Sequence, residues 1–174
     1  MAYDNDINKT ILLDGYHRQD RTPLKGDVWM WDGNHWDSIY GNGPRVTFGS
    51  AVAYDATRKK IVLFGGMLAT GTDDGSEINE TWEWDTKTGW KKQDVSHAPS
   101  PRAYHSMAYD SDCGKTVLFG GVTDFGKAAF NETWEWNGNK WEKIKTANSP
   151  AGLCDFAMVY DNKRKEWSCS VDSL

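Results

Sequence analysis

The chain has 174 residues, 20 basic against 25 acidic side chains and a net charge of −5. That length suits one domain, and the interspersed charges, with no Lys/Arg block, exclude a nucleic-acid or anionic-membrane binder. Mean hydropathy is −0.70, yet ten tryptophans among 23 aromatic residues (10 Trp, 7 Tyr, 6 Phe) exclude disorder, since each large aromatic can bury roughly 150–250 Å².

A unit of about fifty residues recurs along the chain. In the first copy Tyr3-Asp4 ends a strand remnant, TILLDG (10–15) and DVWMWD (27–32) read as strands, Asp32-Gly33-Asn34 as a hairpin turn and HWDSI (35–39) as a last strand. The second copy repeats the order more fully: FGSAVAYD (48–55), KIVLFGG (60–66), NETWEWD (79–85), GWKKQD (89–94). The third is the best: YHSMAYD (104–110), TVLF (116–119) closed by Gly120-Gly121, ETWEW (132–136), the turn Asn137-Gly138-Asn139, then KWEKIK (140–145). A fourth begins at LCDFAMVYD (153–161). Each full copy predicts four short antiparallel strands, A to D. Residues two apart share a strand face, so Trp82 and Trp84 point together, with Thr81, Glu83 and Asp85 opposite. The paired glycines predict positive φ or a close backbone approach.

These motifs together (VLFGG, NETWEW, PRAYHSMAYD) resemble the Kelch repeat over residues 2–161. The resemblance implies an all-β propeller of four-stranded blades around a central channel, with strand A innermost. The blades are expected at 1–40, 45–95 and 102–146, with a partial blade or swapped strand at 153–174. Two departures stand out: Asp14-Gly15 replaces Gly-Gly in the first copy, and Leu153 stands where the third copy has Arg102, while Arg45 is displaced by two residues.

After residue 165 the repeat predicts a strand such as VVLFGG, but the chain reads EWSCSVDSL (166–174). Read one base earlier, the codons available to residues 167–173 include VVLFGG, so the tail is expected to be a one-nucleotide frameshift of an ordinary strand B, able to make only a poor edge strand. Three blades alone would expose two sheet edges and two apolar faces. The spare strand at 153–161 is expected to complete the first blade of a second chain, so that a homodimer closes a six-bladed ring.

Candidate chemistry is sparse. Arg102, at the start of the third blade, and His105, on its innermost strand, are candidate ligand-binding residues facing the channel; the alternative for Arg102 is a structural tie to inter-blade carbonyls. The B–C loops (16–27, 67–79 and 122–131) vary most, and specificity on a rigid scaffold usually lives in such loops. They contribute His17 and Arg21 (with Arg18), Asp73 and Asp74, and Asp124; Arg45 completes the candidate set. Asp4-Asn5-Asp6-Ile7-Asn8 begins like a calcium loop but lacks its later glycine and glutamate. Cys113, Cys154 and Cys169 fit neither a disulfide framework nor a zinc motif. No metal or cofactor is implied, and the copper-ligating pattern of galactose oxidase, a Kelch-family enzyme, is not recognisable. No signal peptide opens the chain and no apolar run is long enough to span a bilayer; localisation is left open. The reading is a non-catalytic binding scaffold, a truncated piece of a longer protein, taking a protein or glycan through its loops. The alternatives are a fragment of a carbohydrate-active Kelch enzyme, sialic-acid mutarotase-like, using Arg102 and His105, or an assembly fragment with no function of its own.

Overall fold

The computed structural model describes residues 1–13, 28–39, 43–44, 47–68, 76–124 and 127–171. Within them every regular element is a strand, and no helix is long and apolar enough to cross a membrane. Blade 1 is the sheet β1 (Ala2–Asp4), β2 (Lys9–Leu13), β3 (Val28–Trp31) and β4 (Trp36–Ile39). A short ribbon pairs β5 (Thr47–Phe48) with β8 (Met67–Leu68). Blade 2 is β6 (Ala51–Asp55), β7 (Lys60–Phe64), β9 (Thr81–Asp85) and β10 (Gly89–Gln93). Blade 3 is β11 (Ala103–Asp110), β12 (Lys115–Val122), β13 (Thr133–Trp136) and β14 (Trp141–Ile144). A hairpin of β15 (Phe156–Asp161) and β16 (Glu166–Val171) starts a fourth. The innermost strands β1, β6, β11 and β15 lie side by side. The chain is therefore a propeller fragment of three four-stranded blades and part of another.

Two details differ from the sequence reading. Strand A of blade 2 is not continuous from residue 48; it breaks at Gly49 (φ 69°), which frees β5 to pair with β8. In blade 3 the strand does not stop at the double glycine but runs through it to Val122.

The repeated aspartates close the turns. Asp4 Oδ1 accepts the backbone N–H of Asp6 at 2.9 Å, Asp55 that of Arg58 at 2.9 Å, Asp110 that of Asp112 at 2.9 Å and Asp161 that of Lys163 at 2.9 Å. This Asx-turn chemistry explains the Tyr-Asp repeat; Asp4 is a turn former, aligned with the other three. Asp32, Asp85 and Asn137 cap the C–D turns in the same way.

Each blade has an indole face and a receiving face. Trp134, Trp136 and Trp141 of blade 3 pack with Met107 and Leu118 onto Ala53, Val62 and Phe64 of blade 2. Trp84 and Trp90 of blade 2 pack with Tyr54 and Ile61 onto Ile11, Val28 and Met30 of blade 1. The partial blade follows suit, with Met158 and Phe156 seated on Val117 and Phe119. The apolar core is thus a series of inter-blade layers, which is why a chain of low mean hydropathy folds.

The double glycines stitch blades together. Gly66 N–H donates to Arg102 O at 2.9 Å, and Gly121 N–H to Leu153 O at 2.8 Å. Gly65 and Gly120 have φ of 62° and 75°, and a Cβ there would lie 2.6 Å from Arg102 O and 2.3 Å from Leu153 O. Gly120→Ala should therefore cost about 2 kcal/mol, from left-handed strain and a displaced blade junction; urea unfolding of the two proteins, compared by midpoint, measures it.

Candidate functional site

Arg102 enters blade 3 with its side chain fully buried. Its Nε donates to Ser100 O at 3.1 Å, Nη1 to Gly120 O at 3.0 Å, and Nη2 to Ser100 Oγ at 3.0 Å and Glu132 Oε2 at 2.8 Å. Its Cζ sits 4.0 Å from the centre of the Phe130 ring, a cation–π arrangement. Burial lowers the guanidinium's pKa, with Glu132 opposing. Burial alone would raise the Glu132 carboxyl, but hydrogen bonds from Lys143, Arg102 and Trp134 outweigh it and bring it to about 2. Blade 2 repeats part of this device: Trp82 Nε1 donates to Glu80 at 2.8 Å, and Lys92 also pairs with Glu80.

His105 lies a few residues further along β11, buried, with its ring edge-on to Phe64 at 5.6 Å. Neither ring nitrogen makes a hydrogen bond of ordinary geometry. Burial first, then the Arg102 charge, push its pKa down to about 3, the Phe64 backbone opposing. Tyr104, between the two, has a left-handed φ of 58°, and Asp155 takes the same conformation (φ 54°) at the equivalent place. Tyr104 N–H donates to Gly49 O at 2.6 Å and Asp155 N–H to Tyr104 O at 2.9 Å, a backbone chain linking three successive innermost segments.

A second charged group lies between blades 2 and 3. Glu83 is buried and accepts from Arg58 Nη1, from Lys60 Nζ at 3.1 Å and from Trp136 Nε1 at 3.1 Å, while Arg58 Nε also reaches Asp55 at 2.7 Å. Burial would raise Glu83, but these donors hold it below the usual carboxylate range. Nearby, Trp141 Nε1 donates to Thr81 Oγ1 at 2.9 Å. Sequence reading placed Glu83 only on a face, because its donors come from other strands and another blade.

Of the residues singled out from sequence, Arg102 and His105 share one end of blade 3. Asp124 is exposed in the third B–C loop, 3.9 Å from Lys127 Nζ. Arg45, His17, Arg18, Arg21, Asp73 and Asp74 lie outside the described residues. Among the described residues, no group of three or more His, Cys, Asp or Glu could hold a metal ion, and the three cysteines are unpaired. An open groove of about 730 Å³ lies on the outer side of the blade 2–3 junction, lined by Asp94, His97, Asn139 and Lys143 among others.

Four-stranded antiparallel blades, interlocked by indole faces and double glycines around adjoining innermost strands, define a β-propeller of Kelch type. Residues 4–168 match the KLHDC2/KLHL20/DRC7 Kelch-repeats domain, and the chain belongs to that family. It is similar to the flagellar outer-arm dynein alpha chain of Chlamydomonas reinhardtii, 30% identical over 108 residues, covering 59% of this chain and 2% of that one. Among solved structures it is similar to YjhT, with a TM-score of 0.63 at 14% identity, over 83% of this chain and 59% of that one; a likeness at that identity shows the fold alone. The chain thus spans much less than the full length of both.

Proposed function

We propose that this Kelch chain is a non-catalytic binding scaffold that presents its B–C and D–A loops to a protein or glycan. One observation carries this: Arg102, the cation placed to serve a channel site, is buried and has every hydrogen bond described above on the protein itself. His105 beside it is shut in against Phe64. What varies between the copies is the loops, in length and charge, on a frame whose turns and blade junctions repeat. The dynein match, a short stretch of a very long chain, also suits a module that serves by binding.

A glycan array and a peptide-display library panned on the immobilised chain test this reading. Binders should be lost when residues 16–27 or 67–79 are replaced by Gly/Ser of equal length, and kept by His105→Phe. The carbohydrate-enzyme alternative is tested by NMR of N-acetylneuraminate, whose anomer exchange should run at the uncatalysed rate in the presence of the protein. Faster exchange abolished by Arg102→Met, or an absence of any loop-dependent binder, overturns the scaffold reading.

A further inference from the structure

Among the described residues the indole face of blade 1 packs against no other blade, yet it keeps the side chains of an interior face. Thr10, Leu12, Trp29, Trp31 and Trp36 occupy the places of Thr116, Leu118, Trp134, Trp136 and Trp141. The blade 3 residues are all buried, whereas Thr10, Leu12, Trp29 and Trp31 are half-open and Trp36 is 43% exposed. The indole pair is nonetheless set as for docking: Trp31 and Trp36 lie 5.4 Å apart at 37°, and Trp136 and Trp141 lie 5.5 Å apart at 38°.

The receiving face of blade 3 is the counterpart. Thr133 and Glu135 repeat Thr81 and Glu83, the acceptors of Trp141 and Trp136. Lys115 pairs with Glu135 as Lys60 does with Glu83. Both Thr133 and Glu135 are half-open. Among the described residues, only β15 is well seated beside this face: Met158 N–H donates to Ser106 Oγ at 3.1 Å, and Met158 packs on Val117 and Phe119. Its partner β16 buries little, since every residue from Asn162 to Ser170 is exposed except through ring contact of Trp167 with Tyr160. It also sets Ser168 and Ser170 opposite Val159 and Ala157. In blade 1, β1 covers only Ile11, Thr10 and Lys9 of β2, leaving Leu12 and Leu13 without an inner partner strand.

We propose that the occupant of both vacant faces is a second copy of this chain. Its β2, β3 and β4 replace β16 beside β15, which becomes the innermost strand of a hybrid blade and displaces the short β1. Trp31 and Trp36 of that copy then donate to Glu135 and Thr133, as Trp136 and Trp141 donate to Glu83 and Thr81 within one chain. Two such junctions close a six-bladed ring. Three indoles at each junction, at half the roughly 150–250 Å² of a fully buried aromatic, together with the surface they cover, bury about 900–1,500 Å² in all, around the roughly 1,000 Å² expected of a specific interface. The donor–acceptor match sets the register.

Sedimentation equilibrium and light scattering of the 174-residue chain at micromolar concentration test this. A mass of about 39 kDa, twice the 19.7 kDa of one chain, is expected. Trp31→Glu with Trp36→Glu should give 19.7 kDa with an unchanged strand signature in circular dichroism, because those side chains are already open in the single chain. Thr133→Val with Glu135→Ala, a milder pair, should weaken association about 10–100-fold. Ending the chain at residue 162 should preserve or tighten the dimer by removing the competing β16. A monomeric wild type, a trimer or larger ring, a dimer indifferent to both variant pairs, or loss of the dimer on removing β16 would each overturn the proposal. None of these outcomes bears on ligand binding by the loops, so the scaffold reading stands or falls separately.

Discussion

Glu83→Ala is expected to cost about 3 kcal/mol of unfolding free energy, while the same change at Glu135 in a dilute single chain costs under about 1 kcal/mol. Both glutamates hold the same place in the repeat and both pair with a lysine. The differences are Trp136, from the neighbouring blade, and Arg58, whose place in blade 3 is taken by Cys113. Removing the Glu83 carboxylate leaves the buried Trp136 N–H without its acceptor and strips Arg58 of one of its two carboxylates. Removing one member of a buried charge group exposes the desolvation cost of those left behind, about 3–5 kcal/mol when all are buried. Arg58 and Lys60 keep some contact with water, which places the figure at the lower end. Glu135 has no indole donor in the single chain. Urea unfolding of both variants at low protein concentration decides the matter, and equal losses would show that neither Trp136 nor Arg58 contributes to the Glu83 site. Such a loss is a large share of the roughly 5–15 kcal/mol by which domains of this kind are stable.

Acid should weaken the protein first through His105. Its pKa in the folded chain is about 3 against an ordinary 6.5. The unfolded chain therefore binds a proton that the native one refuses, and stability rises with pH between these values. The contribution is complete above pH 6.5 and declines as pH falls towards 3. At about 1.4 kcal/mol per pH unit, roughly 2 kcal/mol goes between pH 6.5 and 4.5, before most carboxylates titrate, and more as pH falls further towards 3. His105→Phe should remove this dependence. Phe156 already holds the equivalent place in the next blade, edge-on to Phe119 at 6.0 Å and 81°, as His105 is to Phe64 at 5.6 Å and 74°. The variant also replaces by carbon two buried nitrogens that make no hydrogen bond of ordinary geometry, so it should be more stable than the parent at neutral pH. Thermal unfolding at pH 4.5 and 7 reads both effects; a variant with the parent's pH slope would remove His105 as its source.

Much of the fold was legible in residue order. The Trp-x-Trp pairs showed period-two strands, Asn137-Gly138 a tight turn, and the fifty-residue spacing the stacking of like units. Residues 133–136 and 141–144 fell where that pattern placed them. The double glycines imply positive φ or a close backbone approach, and Gly65-Gly66 and Gly120-Gly121 show both. What residue order did not reveal is what each side chain meets across a junction. Leu153 at the place of Arg102 reads as a departure from the repeat because the side chains differ. The shared element is the backbone carbonyl that each presents to a glycine N–H of the preceding blade, and a carbonyl leaves no mark in sequence. The isolation of His105 likewise depends on neighbours about forty residues upstream. The candidate residues of the two longer loops lie outside the described residues and stay as expectations.

The two complete junctions differ in character. Between blades 2 and 3 indole donors meet Thr81 and Glu83, but between blades 1 and 2 the same positions are Val28 and Met30, and the Trp90 N–H is buried without a partner. One seam is held by oil and the other partly by charge. Cooling loosens the first, because apolar attraction fades at low temperature, and proton uptake by carboxylates loosens the second. A molecule assembled from near-copies thus has two differently tuned points of opening, and temperature and acidity select which gives way.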